Sequence, residues 1–179
     1  MAGITESIRT AFGRNRDLAE RALDQLTDDE LVAEGKGGAN SVATIVWHMG
    51  ANLESRFTDF LTTDGEKPWR EREDEFLPRH VSRAVLMDRW NAGWACLESA
   101  LDGLADNDLA RTVRIRHEPM TVADALHRAL AHAAYHIGQI AWIAKSNRGD
   151  DWKSLSIPPG GTESFNRKMA ERWAGPVTD

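Results

Sequence analysis

The stretch TVADALHRALAHAAYHIGQIAWIAK, residues 121–145, carries the clearest helix in the chain. It starts just after Pro119 with Thr121 and Asp124 three apart, a capped beginning, and runs into Lys145, Asn147, Arg148 and Gly149, residue types that close helices. At about 100° per residue, Val122, Ala129, Ala133, Ile140 and Ala144 fall within roughly 60° of one another, so they mark a face turned to a core. The spacing predicts a helix over about 121–146. His136 lies about 20° and His132 about 60° to the other side of Ala129, whereas His127, at about 160°, points away to solvent. Four residues apart, His132 and His136 emerge on one side of the helix, one turn from each other, where two neutral imidazoles can grip one divalent ion or serve as core histidines hydrogen-bonded to neighbouring side chains or water.

The rest of the chain reads as partners for that helix. Ile4, Ile8, Phe12, Ala19, Ala22, Leu23 and Leu26 recur at helical spacing over residues 3–26. Thr27-Asp28-Asp29-Glu30 has the capping-box pattern of a short helical turn that dies at Gly35-Lys36-Gly37-Gly38. Asn40 and Ser41 offer an N-cap for a second long helix running to about Leu61, and the charged run from Asp64 to Pro78 reads as a long loop. Leu86, Trp90, Trp94, Leu97 and Leu101 make an apolar stripe, predicting a third long helix from Ser82 to about Leu104. Arg111 to Arg116 alternates polar with β-branched residues, which predicts one strand of a small hairpin. Ile157-Pro158-Pro159-Gly160-Gly161 reads as a turn, and Phe165, Met169 and Trp173 as a short last helix. The expected fold is all-α: an antiparallel four-helix bundle with a long loop between its second and third helices, a small hairpin before the fourth, and a tail from about residue 150. At 179 residues the whole chain, 1–179, reads as a single domain.

A formal charge of −6 argues against a nucleic acid or anionic lipid partner, because both need clustered positive charge. The first residues lack a basic segment followed by an apolar one, no apolar run approaches a membrane span, and the single Cys96 suits a reducing compartment, so a cytoplasmic location is expected. Cys96 has no base motif around it and reads as a buried, inert thiol. There is no phosphate-binding glycine loop, no nucleophile elbow and no Cys-x-x-Cys pair.

A third histidine, His48, sits in the second long helix. On its wheel Thr44, Asn52, Ser55 and Asp59 fall within about 40° of it, a polar column beside the apolar stripe. That column reads as solvated surface or as the wall of a cleft, with surface the simpler reading. His80 and His117 lie near turns and read as exposed. Gln139, one turn after His136, is placed to contact a ligand at the histidine pair or to serve as a packing amide.

The histidine on the second helix and the His-x-x-x-His-Ile-Gly-Gln of the fourth resemble the DinB/YfiT-like metalloenzyme superfamily, and within it a bacterial subgroup of unknown function. The subgroup resemblance rests on Asn40-Ser41, Asn52-Leu53, Ser55-Arg56-Phe57, Asp64 to Arg70, Glu75-Phe76, His132 to Lys145 and Leu155 to Pro158. The resemblance implies that His48, His132 and His136 hold a divalent metal, Zn²⁺ or Ni²⁺, with a position left open for water or substrate. It implies further a transferase that conjugates a low-molecular-weight thiol to an electrophilic small molecule, and a homodimer. Asn52, Arg56, Arg128 and Gln139 are the candidate substrate-binding groups, each equally able to serve in structural hydrogen bonds. A metal-dependent hydrolase and a non-catalytic metal-binding helical module are the alternatives.

Overall fold

The computed structural model describes residues 3–35 and 37–175; Lys36 in the predicted glycine-rich turn, like residues 1–2 and 176–179, lies outside the described residues. The structure is mainly helical with one two-stranded sheet: α1 (Ile4–Leu23), α2 (Asp28–Val32), α3 (Val42–Phe57), α4 (Arg83–Asp102), β1 (Thr112–Ile115), β2 (Glu118–Thr121), α5 (Val122–Arg148) and α6 (Thr162–Arg172). No helix among the described residues is long and apolar enough to cross a membrane.

Most helix starts are local sequence events. Thr27 Oγ1 accepts from the Glu30 amide at 3.2 Å while Glu30 Oε2 accepts from the Thr27 amide at 2.7 Å, the reciprocal cap predicted for α2. Ser41 and Thr121 cap α3 and α5 at 3.1 and 3.0 Å. The start of α1 has no such residue. Its orphan amides at Ile4 and Thr5 are instead taken by the Asp106 carboxylate at 3.0 and 2.8 Å, from a segment a hundred residues away.

The apolar stripes meet in one core. α3 packs along α4 and also touches α5, while α1 lies on α5 and reaches α4, so the four long helices close a ring. Trp90 and Trp94 are fully buried there, with Phe12 edge-on to Trp94 at 6.3 Å between ring centroids. α3 and α4 cross in unusually close contact, and two glycines permit it. A Cβ on Gly93 would stand 2.7 Å from the Gly50 Cα, and one on Gly50 would stand 2.5 Å from the Arg89 carbonyl oxygen.

Boundaries differ from expectation where backbone geometry intervenes. α3 stops at Phe57 rather than about Leu61, because Thr58 is extended and Asp59 turns left-handed at φ 48°. The predicted strand is found with its partner, antiparallel, in the register Val113 opposite Met120. Arg116 and His117, both at positive φ, make a two-residue turn of the twisted type that hairpins favour, without the Asn-Gly that usually announces one. Cys96 is half-buried rather than buried, with its thiol 3.4 Å from Thr58 Oγ1.

The run between α3 and α4 is a loop, as its charge suggests, but not a solvated one. Lys67, Arg70 and Glu75 are all buried, and a 3-10 turn at Asp74–Phe76 presses against α3.

Candidate metal centre

α3 and α5 deliver three imidazoles to one place. The candidate ligand atoms of His48, His132 and His136 all lie within 4.8 Å of one another. His132 and His136 meet because they are one turn apart on α5, with ring centroids 4.5 Å from each other. His48 reaches them because α3 packs on α5; its centroid is 5.3 Å from that of His132 and 4.9 Å from that of His136.

The surface reading of His48 is corrected: it is only 4% exposed. The polar column is buried with it at Thr44, Asn52 and Ser55, and the Asp64–Pro78 loop folds back onto α3 at His48, stacking Phe76 on the imidazole at 4.6 Å. His80, His117 and His127 are exposed, as their positions in turns and on the outer face of α5 suggest.

The outer nitrogens of two rings are held. Glu75, 3% exposed, accepts from His48 Nδ1 at 2.7 Å and from Arg70 Nε and Nη2 at 2.7 and 2.9 Å. Burial raises the Glu75 carboxyl, but the hydrogen bonds from His48 and Arg70 outweigh it and hold the acid ionised below its usual range. An ionised carboxylate only accepts, so His48 Nδ1 carries a proton and Nε2 is turned toward His132. Gln139 Oε1 accepts from His136 Nδ1 at 2.8 Å, while its Nε2 donates to the Tyr135 hydroxyl at 3.1 Å. His136 is thereby set with Nε2 free. Partners of this kind orient metal-binding histidines and make them more basic.

The donor set suits a cation. His48 Nε2 and His132 Nε2 stand 3.3 Å apart, close to the roughly 3.3 Å that separates two nitrogens of a tetrahedral zinc at 2.0–2.1 Å per bond. In the neutral rings one of these nitrogens donates a hydrogen bond to the other, and a metal would displace that proton and take both lone pairs. Burial first, then the positive charge His136, His48, Arg70 and Arg56 can carry, lowers the His132 imidazole to about 3. Burial likewise lowers His136, against the opposing pull of Gln139. These two rings therefore stay neutral at physiological pH, the form a metal requires.

The triad opens on a cavity of about 320 Å³. Asn52, Arg56 and Arg128 line it, whereas Gln139 does not and acts on His136 from behind. Asn52 stands one turn beyond His48 on α3. Arg56 is anchored by the Gly65 carbonyl and by Glu66 Oε2 at 3.0 Å, and Arg128 by Glu118 Oε2 at 3.1 Å. Glu75 and Arg70 are the residues that sequence reasoning did not assign. Both fall within segments that carry the family resemblance, and Phe76 beside Glu75 stands out as an apolar residue inside a run of charges.

The family model described as "Protein of unknown function (DUF1572)" matches residues 3–161. The chain belongs to this family. DUF1572 proteins have a DinB/YfiT-like fold, which agrees with the resemblance drawn from the histidine segments. A conserved protein from Enterococcus faecalis, known from its crystal structure, superposes on this DUF1572 chain with a TM-score of 0.62 at 19% identity, covering 81% of this chain and 97% of that one. At that identity the likeness is one of fold. Comparison with curated proteins found no match.

Proposed function

We propose that this DUF1572 protein is a divalent-metal-dependent transferase that joins a low-molecular-weight thiol to an electrophilic small molecule. The observation that carries the reading is the triad itself: three imidazoles within 4.8 Å, two with their outer nitrogens held, facing a cavity. Closed structural sites use four protein ligands, whereas three leave a position for an incoming molecule. His48, His132 and His136 would hold Zn²⁺ or Ni²⁺, and the bound ion would favour the thiolate of a thiol entering the open position. Sulfur then bonds to the electrophilic carbon as the leaving group departs with its electron pair, and the thiol proton is released to solvent. The chain's own residues exclude water with Phe57, Phe60 and Phe76 and position the reactants with Asn52, Arg56 and Arg128.

A metal-dependent hydrolase would use the same ion, yet among the described residues no Asp or Glu lines the cavity to serve as general base, and Glu75 is committed to His48 and Arg70. A non-catalytic module, with metal merely tying α3 to α5, leaves the cavity without a role. We further read the ring of four long helices as an antiparallel bundle, the protein as cytoplasmic, and exposed Tyr135, Trp142 and Trp173 as part of a homodimer surface, which sedimentation at low concentration tests.

Cobalt substitution followed by thiol titration decides among these readings. The transferase reading expects a sulfur-to-cobalt charge-transfer band that saturates with thiol and is absent in His132→Ala. Cobalt that binds without responding to any biological thiol overturns it in favour of the structural module. Failure to bind cobalt stoichiometrically overturns the metal site altogether.

A further inference from the structure

The cavity beside the triad is lined by five arginines from four different parts of the chain: Arg56 on α3, Arg70 and Arg72 in the loop, Arg116 in the hairpin turn and Arg128 on α5. Among the described residues no carboxylate lines it. In a chain of net charge −6, that segregation of sign is a property of this cavity and not of the composition.

Each arginine has an acidic neighbour, but the acids lie outside the cavity wall and do not cover it. Glu66 Oε2 is shared by Arg56 and Arg116, both at 3.0 Å. Arg72 and Arg128 pair with Glu73 and Glu118 at 3.2 and 3.1 Å. Arg70 is the telling member. Its side chain is 2% exposed, and although Glu75 takes Nε and Nη2, Nη1 has no hydrogen-bond partner among the described residues, with Glu66 Oε2 3.9 Å away. Arg79, Arg89 and Arg148 also carry a buried nitrogen without a partner among the described residues, but of the four only Arg70 lines the cavity, where an acceptor from outside would satisfy it. Burial, followed by repulsion from Arg70 and Arg116, lowers the Arg56 guanidinium despite its bond to Glu66. Against these cations the cavity sets an apolar wall of Phe57, Phe60 and Ile115.

We infer that the arginine-lined side of the cavity is an oxyanion subsite, and that the molecule handled next to the histidines is a small organic anion carrying a carboxylate or phosphate group on an apolar or neutral body. Guanidinium forks match such oxyanions in shape and charge, and the unpartnered Arg70 Nη1 supplies the buried end of the grip. Arg116 and Arg128, each about half exposed, form the mouth and draw the anion in. That the anion is a substrate rests on the triad being a working metal centre. The subsite itself does not, because none of its arginines is a ligand.

Calorimetric titration of the full-length, metal-free protein with succinate, with inorganic phosphate and with uncharged succinamide tests the subsite directly. Succinate or phosphate is expected to bind at least tenfold more tightly than succinamide, and less tightly as salt is added. The tighter of the two anions names the headgroup. The Arg116→Gln/Arg128→Gln pair is expected to weaken anion binding by tenfold or more while leaving the fold intact, since both ion pairs are solvent-exposed. Arg114→Gln, on the same hairpin but outside the cavity, controls for net charge and should change nothing. The inference is overturned if neither anion binds better than succinamide, or if the double variant binds them as the native chain does. Cobalt uptake measured on the same samples separates the two proposals. In the native chain, cobalt uptake without anion binding defeats only the subsite, whereas anion binding without cobalt uptake defeats only the metal centre.

Discussion

Glu75→Gln isolates the contribution of the buried carboxylate beneath His48. The native acid accepts three hydrogen bonds, from His48 Nδ1 at 2.7 Å and from Arg70 Nε and Nη2 at 2.7 and 2.9 Å. Glutamine keeps the shape but has one acceptor oxygen, so its amide must turn hydrogens toward either His48 or Arg70, both donors. Arg70 is also left as a buried cation whose remaining acidic neighbour is Glu66 at 3.9 Å. Removing one partner of a buried ion pair costs about 3–5 kcal/mol, which for a chain of 179 residues corresponds to a fall in Tm of roughly 6–20 °C. That loss is expected with no metal present. A second loss falls on the site: freed to rotate, His48 should bind metal about 10–100-fold more weakly, or about 1.4–2.7 kcal/mol.

Denaturant unfolding of the metal-free native and variant proteins reads the first loss, and competition of a chromophoric chelator for zinc reads the second. His132→Ala provides the contrast. It should abolish metal binding at little cost to the metal-free fold, since the polar contact it removes is one long hydrogen bond to His48 at 3.3 Å. A Glu75→Gln protein within about 1 kcal/mol of native stability, with native zinc affinity, would refute the reasoning. A variant that loses zinc affinity but not stability would show that the pair orients His48 without supporting the loop.

Two further perturbations follow from the backbone and from charge. Gly93→Ala pushes a Cβ into the Gly50 backbone, which no side-chain rotation relieves; separating α3 from α4 should cost about 1–3 kcal/mol, outweighing the gain of up to about 1 kcal/mol in helix propensity. Gly138→Ala on α5 meets nothing within 4 Å and should show that propensity gain alone, so thermal unfolding of the two variants is expected to move in opposite directions. Asp64 ties the loop to the hairpin by accepting from the Glu66, Arg116 and His117 amides, each at 2.8 Å. Burial opposes, but these bonds depress its carboxyl from 3.8 to about 2. With its folded value below its unfolded one, Asp64 stabilises above 3.8 and that contribution drains away as pH falls to about 2. Asp64→Asn should therefore be less stable at neutral pH and show a shallower acid limb across that window, and an unchanged limb would dismiss the network.

The sequence by itself determined what depends on near neighbours. Helical periodicity placed four long helices, the caps at Thr27, Ser41 and Thr121 set the starts of α2, α3 and α5, and a four-residue spacing put His132 and His136 on one side of α5. A wheel describes one helix alone, and that is where its reach ended. It counted the polar column of α3 as solvent-facing because nothing in Thr44, His48 or Asn52 reveals that the packed chain buries them. Tertiary structure decided that burial, and with it the pairing of Glu75 with His48, the convergence of five arginines from four segments and the capping of α1 by Asp106. The physical reason is common to all four. A buried charge or an orphan amide must find its partner wherever the packed chain brings one, and packing sets that distance with no regard to separation along the sequence.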